Sequence, residues 1–164
     1  MASPSRKNIT LALIGRVGNG KSACGNSILG KVVFPTSDNS KSCTHEVAVE
    51  LKTRIDCEVK VVDTPGFMDR DAVQDRENTV IRIPELMRIC PEGVHAFCLV
   101  LKYGAVDIDK DKEAVKKVKY IFGENVLRDY GIIIMTQGDN FDLNNEREEE
   151  GVVPFQLWCK KQIY

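Results

Sequence analysis

One segment near the start of the chain combines glycines, a lysine and a serine at a spacing that suits phosphate binding. Residues 15–22 read G-R-V-G-N-G-K-S and match the pattern G-x-x-x-x-G-K-[ST]. Gly15, Gly18 and Gly20 let backbone N–H groups close around phosphate oxygens, and the N-terminus of a following helix adds a favourable dipole. Lys21 can then reach the β and γ phosphates, while the Ser22 hydroxyl can ligate Mg²⁺. The segment predicts a site for the phosphates of a nucleotide.

A carboxylate suited to the same metal ion follows later in the chain. Asp63 closes an apolar run that includes Val59, Val61 and Val62, which predicts a strand ending in an acidic residue. In P-loop proteins a carboxylate at this place holds Mg²⁺. Gly66 follows in a D-x-x-G pattern, and its backbone N–H is suited to sensing a γ phosphate. An ordinary turn is the alternative, and the preceding phosphate loop favours the functional interpretation.

Thr44 is a second candidate metal ligand. It lies in a polar segment, residues 35–45, just before an expected strand. Its hydroxyl could ligate Mg²⁺ and bind the γ phosphate within a loop that is ordered only with a triphosphate. A threonine at the edge of a strand needs no function, so both interpretations stay open.

A candidate base-binding segment comes at the end of another apolar strand. Residues 136–139 read T-Q-G-D. The carboxylate of Asp139 can accept both N1–H and N2–H of guanine, whereas adenine presents no such donor pair. The segment resembles the [NT]-K-x-D guanine motif, with Gln137 in place of lysine. A surface turn without function is the alternative for Asp139.

The elements that must position these residues alternate between strands and helices. Strands are expected over 9–14, 46–51, 55–62, 96–101 and 131–135, and helices over 21–29, 75–90 and the stretch that contains Val115, Val118 and Phe122. The 46–51 strand alternates as an edge strand does. The last two strands are nearly continuous apolar runs, which is typical of strands buried on both faces of a parallel sheet. The pattern predicts a three-layer α/β/α P-loop fold with a mostly parallel central sheet.

Composition limits the classes of function. The chain has 164 residues, 43% hydrophobic and 29% charged, with a net charge of -1. One globular domain is expected, without a nucleic-acid-binding surface or a polybasic anchor. The six cysteines and two histidines show no zinc spacing, which favours reduced thiols in the cytoplasm. The N-terminus lacks a signal core, and the apolar runs are too short for a transmembrane segment.

On these motifs the chain resembles the immunity-associated GTPase family (GIMAP, also called IAN), relatives of septins and chloroplast-import GTPases, from about Asn8 to Asn140. Residues 93–104, G-V-H-A-F-C-L-V-L-K-Y-G, look like the box of that family, and residues 42–44, S-C-T, like its switch segment. The resemblance implies GTP and GDP as ligands, Mg²⁺ as cofactor, and homo- or hetero-oligomers formed through the nucleotide-binding face. The residues expected to bind nucleotide are Gly15, Arg16, Val17, Gly18, Asn19, Gly20, Lys21, Ser22, Ala23, Thr44, Gly66, Gln137 and Asp139. Those expected at the metal are Ser22, Thr44 and Asp63.

The chain departs from the family pattern at three places. Phe67 follows Gly66 where many small GTPases have a water-orienting glutamine, and Ala105 stands where many family members have arginine, so no catalytic side chain is expected. Arg16 is the only basic alternative inside the loop. Few residues follow Asn140, which predicts a G domain without its last strand and helix: residues 1–7 as a tail and residues 8–164 as an AIG-type G domain incomplete at the C-terminus.

The sequence therefore predicts a cytoplasmic GTP/GDP-binding P-loop domain in which GTP hydrolysis is slow or depends on a partner. Three alternatives remain open. The domain could be an assembly module that holds nucleotide without useful turnover, or a truncated product that binds nothing. An ATP-using P-loop kinase is disfavoured because residues 63–66 and 136–139 fit a GTPase and no arginine-rich lid is evident.

Overall fold

The computed structural model describes residues 7–36, 47–64, 85–104 and 108–145. Among these residues five strands form one sheet: β1 (Lys7–Ile14), β2 (Ala48–Thr53), β3 (Cys57–Asp63), β4 (Ala96–Lys102) and β5 (Gly131–Thr136). The helices are α1 (Lys21–Leu29), α2 (residues 85–89), α3 (Ile108–Phe122), α4 (Val126–Tyr130) and α5 (Gly138–Asn145). The short helices α4 and α5 were not expected from the sequence. None of the described helices is both long and apolar enough to cross a membrane.

The strand order is β2-β3-β1-β4-β5. Neighbouring strands run parallel except β2, which pairs antiparallel with β3 at one edge. The expected mostly parallel sheet and the edge position of β2 are confirmed. Because β1, β3, β4 and β5 are parallel, their carboxyl ends all lie along one edge of the sheet, where ligands bind in open α/β folds.

Helices cover both faces of the sheet, as the three-layer prediction required. On one face Leu13 and Val61 pack in a buried cluster with Leu29 of α1. On the other face Ala12 and Phe97 pack with Val118 of α3. The central strands bury side chains on both faces, which explains why their sequences are nearly continuous apolar runs. The phosphate loop therefore leaves a strand that is held from both sides.

Two strand predictions were wrong in detail. Ile55 was expected inside a strand, but it is 99% exposed, and Arg54 N–H donates to the Cys57 carbonyl where the chain turns between β2 and β3. An antiparallel pair needs such a turn, so β3 begins at Cys57. Among the described residues β5 lies at the other edge of the sheet, and the exposure of its isoleucines shows that it is not buried on both faces. Ile132 and Ile133 remain 47% and 42% exposed.

The four described cysteines, Cys24, Cys57, Cys90 and Cys98, are free thiols. Burial, with a smaller contribution from Cys24, raises the pKa of Cys98 to about 11. Burial likewise raises the pKa of Cys90. A thiol is a weak nucleophile while it stays protonated, so Cys98 and Cys90 behave as small apolar side chains of the core.

Candidate functional site

The phosphate loop spans the gap between Ile14, the last residue of β1, and Lys21, the first of α1. Strand β1 lies in the middle of the sheet, so the loop emerges at the centre of the edge where the parallel strands end. The ends of β3 at Asp63 and of β5 at Thr136 lie along the same edge. The fold thus places the phosphate-binding and base-binding motifs of the sequence on one edge of the sheet.

Glycine is required in this loop for two different reasons. Gly15 has a φ of 145°, and a Cβ atom there would lie 2.5 Å from the carbonyl oxygen of Val100 on β4. Gly18 has a φ of 80°, but a Cβ atom would meet nothing within 4 Å, so only the backbone conformation favours glycine there. At Gly15 the absence of a side chain lets the loop pass this close to β4.

Lys21 places its positive charge over the loop. Its Nζ donates a hydrogen bond of 3.0 Å to the carbonyl oxygen of Arg16, and the residue is only 7% exposed. The side chain therefore folds back along the loop from the first residue of α1. An ammonium in this position, together with the N–H groups of the helix N-terminus, makes a local site for an anion on a chain whose net charge is -1.

Ser22 and Asp63 meet across two elements. The Ser22 hydroxyl donates a hydrogen bond of 2.6 Å to Oδ2 of Asp63, whose residue is fully buried. Hydroxyl and carboxylate oxygens are the ligands that Mg²⁺ prefers. Beside them, the Thr64 hydroxyl donates to the Leu13 carbonyl oxygen at 2.6 Å and ties the end of β3 to that of β1. The donor set at this point fits Mg²⁺, with Ser22 and Asp63 as the residues that would hold it.

The negative charge of Asp63 also acts on Cys24, which lies in the first turn of α1. Burial, and after it the charge of Asp63, raises the pKa of the Cys24 thiol. Both causes favour the neutral thiol, so Cys24 is unsuited to act as a nucleophile beside the metal ligands.

The base-binding segment begins where β5 ends. Gln137 has a φ of 58°, which is uncommon for a residue other than glycine, and the chain then enters α5 at Gly138. Asp139 lies in the first turn of α5 and is exposed, as is Gln137. Asn140 N–H donates to the Gln137 carbonyl oxygen at 3.1 Å and closes the turn. The carboxylate of Asp139 is therefore presented to solvent near the end of the phosphate loop.

Thr136 links this segment to the phosphate loop. Its hydroxyl lies 2.8 Å from the carbonyl oxygen of Asn19 and 3.2 Å from that of Leu101. Its Cγ2 also lies where it would be 3.2 Å from a Cβ atom at Gly20. Thr136 was expected in the base-binding segment, but the supporting hydrogen bonds of Thr136 and Thr64 were not predicted, because a threonine gives no signal of its distant partner.

The structure brings most of the predicted residues together. The phosphate-loop residues, Ala23 in the first turn of α1, Asp63, Gln137 and Asp139 all follow or flank the carboxyl ends of the parallel strands. The guanidinium Nε of Arg16 is buried and has no hydrogen-bond partner within the described ranges. Thr44, Gly66, Phe67 and Ala105 lie outside the described residues, as do the expected helix start near residue 75 and the segment after residue 145.

The strand order, the glycine loop after the central strand and the paired Ser22 and Asp63 define a P-loop G-domain fold. The AIG1 family model matches residues 9–150 of the chain. This chain belongs to the AIG1 family, which confirms the family expected from the motifs.

Named relatives and solved structures agree with this assignment. The chain is 33% identical to Immune-associated nucleotide-binding protein 9 of Arabidopsis thaliana over 163 residues, which cover 99% of this chain and 46% of that protein. It is 34% identical to Immune-associated nucleotide-binding protein 4 of the same organism, covering 88% of this chain and 43% of that protein. The chain thus spans about half the length of the curated relatives it matches.

Among solved structures, the fold is similar to Toc33 from Arabidopsis thaliana in complex with GDP and Mg²⁺. The TM-score is 0.66 at 20% identity, over 80% of this chain and 51% of that one. A second solved structure has a TM-score of 0.73 to this chain. It is described by the statement that dimerization is important for the GTPase activity of the chloroplast translocon components atToc33 and psToc159. Its identity is 16%, over 96% of this chain and 58% of that one. At these identities the likeness shows a shared fold.

Proposed function

We propose that this chain binds GTP and GDP with Mg²⁺ and serves as a switch or assembly module in which GTP hydrolysis is slow or depends on a partner. The observation that carries the proposal is the phosphate loop. Lys21 Nζ is hydrogen-bonded to the backbone of this glycine-containing loop, and the Ser22 hydroxyl donates to Oδ2 of Asp63 at 2.6 Å. A relative named as a nucleotide-binding protein and a structural neighbour in complex with GDP and Mg²⁺ support it.

Calorimetry with GDP, in the presence and absence of Mg²⁺, tests the proposal directly. We expect saturable one-site binding that strengthens with Mg²⁺, because Ser22 and Asp63 would hold the ion and its positive charge would stabilise the phosphates. Asp63→Asn keeps the shape of the side chain and removes its charge, so it should reduce the gain from Mg²⁺. Absence of GDP binding by the folded parent chain would refute the proposal.

We expect the bound GTP to turn over slowly in the isolated protein. In the sequence Phe67 follows Gly66, where many small GTPases have a water-orienting glutamine, and Ala105 follows the box at residues 93–104, where many family members have arginine. An arginine finger alone contributes about 10³–10⁵ in rate. Single-turnover hydrolysis measured against protein concentration tests this expectation, since a contribution across an oligomer would raise the rate as concentration rises. Fast multiple turnover at low concentration would contradict it.

The preference for guanine over adenine should be modest. Asp139 is exposed, and a charged pair open to water contributes little because solvent competes for both groups. Competition titrations with GTP and ATP should show a preference of no more than about fivefold. In Asp139→Asn the preference should disappear while ATP binding stays unchanged. Strict selectivity for GTP would show that other residues complete the base site.

We further propose that the protein acts in the cytoplasm and assembles through its nucleotide-binding face. The free thiols of the described cysteines support a reducing compartment. Sedimentation with GDP and with a non-hydrolysable GTP analogue tests the assembly. A change in the mass of the particle between the two nucleotides is expected, and a monomer in both would contradict the proposal.

A further inference from the structure

Asn19, inside the phosphate loop, is a buried polar residue that is hydrogen-bonded to β4 and to the end of β5. Its Nδ2 donates a hydrogen bond of 2.9 Å to the carbonyl oxygen of Val100 on β4, and only 7% of the residue is exposed. Its own carbonyl oxygen accepts from the Thr136 hydroxyl at 2.8 Å, at the end of β5. Its N–H donates to the carbonyl oxygen of Arg16 at 3.3 Å. One residue thus joins the loop to the ends of two strands.

The position of Asn19 between two glycines makes these bonds consequential. Gly18 and Gly20 have φ values of 80° and 88°, so the backbone on each side of Asn19 is in the left-handed region. Glycine loses more conformational freedom than any other residue when it is ordered. A loop of this kind samples many shapes unless something fixes it, and a ligand that had to order the loop would bind more weakly.

The Val100 carbonyl oxygen lies close to both ends of the loop. Gly15 passes so close to it that a Cβ atom would lie 2.5 Å away, and Asn19 is bonded to it from the other end of the loop. The loop therefore passes close to β4 at its first residue and is hydrogen-bonded to β4 near its last. Only the hydrogen bond depends on a side chain that substitution can remove.

We propose that Asn19 is a positioning residue of the nucleotide site, whose side-chain amide holds the phosphate loop on β4 in the conformation that receives phosphate. The inference rests on the proposed binding of GDP. It concerns the Asn19 side chain, which acts through the loop backbone. Its consequence is that loss of the amide weakens binding of the β phosphate more than it weakens the fold.

Asn26, on the helix α1 that follows the loop, provides a matched control. It is a buried asparagine whose Nδ2 donates to the Phe34 carbonyl oxygen at 2.9 Å, and its Oδ1 accepts from the N–H groups of Val33 and Phe34. Asn26→Ala therefore removes more hydrogen bonds than Asn19→Ala, but away from the loop. The two variants separate a loss of stability from a loss of positioning.

The experiment measures GDP and GMP affinity by calorimetry and unfolding by denaturant titration, for the parent chain, Asn19→Ala and Asn26→Ala. We expect Asn19→Ala to bind GDP about tenfold more weakly, which corresponds to about 1.4 kcal/mol, with GMP affinity nearly unchanged. Asn26→Ala should lose more stability yet keep its GDP affinity. The inference is overturned if Asn19→Ala binds GDP as the parent does, or if both variants lose affinity in proportion to stability.

Hydrogen exchange in the ligand-free proteins separates this inference from the proposed function. Amides of residues 18–21 should exchange faster in Asn19→Ala than in the parent, and should be unchanged in Asn26→Ala. If the parent chain bound no GDP, the proposed function would fail. The hydrogen-exchange measurement would still report whether Asn19 holds the loop. Equal exchange of the loop amides in all three proteins would refute the positioning role.

Discussion

Lys21→Ala is expected to weaken GDP binding by about ten- to a hundredfold, because it deletes charge-assisted hydrogen bonds to phosphate. The structure supports this directly. The ammonium lies over the loop, 3.0 Å from the Arg16 carbonyl oxygen, and the chain as a whole carries a net charge of -1. No general positive field can replace the missing group. Calorimetry with GDP at constant ionic strength measures the loss.

Lys31→Ala is the matched control for this change. Lys31 lies just beyond the opposite end of α1, where its Nζ is paired with Glu50 at 2.9 Å and its side chain is 47% exposed. Lys31→Ala removes the same charge and the same side chain far from the loop, so its GDP affinity should equal that of the parent within experimental error. Equal affinities for Lys21→Ala and the parent would show that the phosphate-loop assignment is wrong.

Gly15→Ala is expected to cause the largest loss of stability among single changes in the loop. A Cβ atom would lie 2.5 Å from the Val100 carbonyl oxygen, and the φ of 145° is unfavourable for alanine. Relief requires β1 to move away from β4, and both strands are buried in the middle of the sheet. Strain and overpacking together should cost at least about 2 kcal/mol in the free energy of unfolding. Urea titration followed by circular dichroism measures it.

Gly18→Ala tests the cause of that loss. Gly18 also has a positive φ, of 80°, but a Cβ atom there would meet nothing within 4 Å. This variant carries the backbone strain without the clash, and should lose about 1–2 kcal/mol. If the two variants lost the same stability, the close approach of Gly15 to β4 would not matter energetically.

Local patterns predicted much of the fold because they have local causes. The helix from Lys21 to Leu29 was predicted with its exact bounds, since Gly20 precedes it and Gly30, in the left-handed conformation, ends it. Central strands such as β1 and β4 were predicted within a few residues because burial on both faces imposes a continuous apolar run. The same rule failed for β5. Periodicity cannot show whether helices cover both faces of a strand, and Ile132 and Ile133 of β5 are exposed.

The candidate site, too, was predicted in part from local sequence and in part was not. The residue types and spacing from Gly15 to Ser22 indicated phosphate chemistry, and Asp63 was placed at a strand end by the apolar run before it. What supports these residues could not be predicted. Asn19 was expected to contact phosphate, which stays a prediction, and the hydrogen bond of its side chain to Val100 on β4 had no signal in the sequence.

The sequence by itself determined the phosphate motif, the family and the alternation of strands and helices, because each depends on residues close together in the chain. Only the tertiary structure decided which distant groups meet at the site. The Asn19 carbonyl oxygen accepts from the Thr136 hydroxyl, and the Ser22 hydroxyl donates to Asp63. These groups meet because the strand order and the parallel register bring the carboxyl ends of β1, β3 and β5 to one edge of the sheet. Register and strand order are set by packing over the whole domain, and no short segment encodes them.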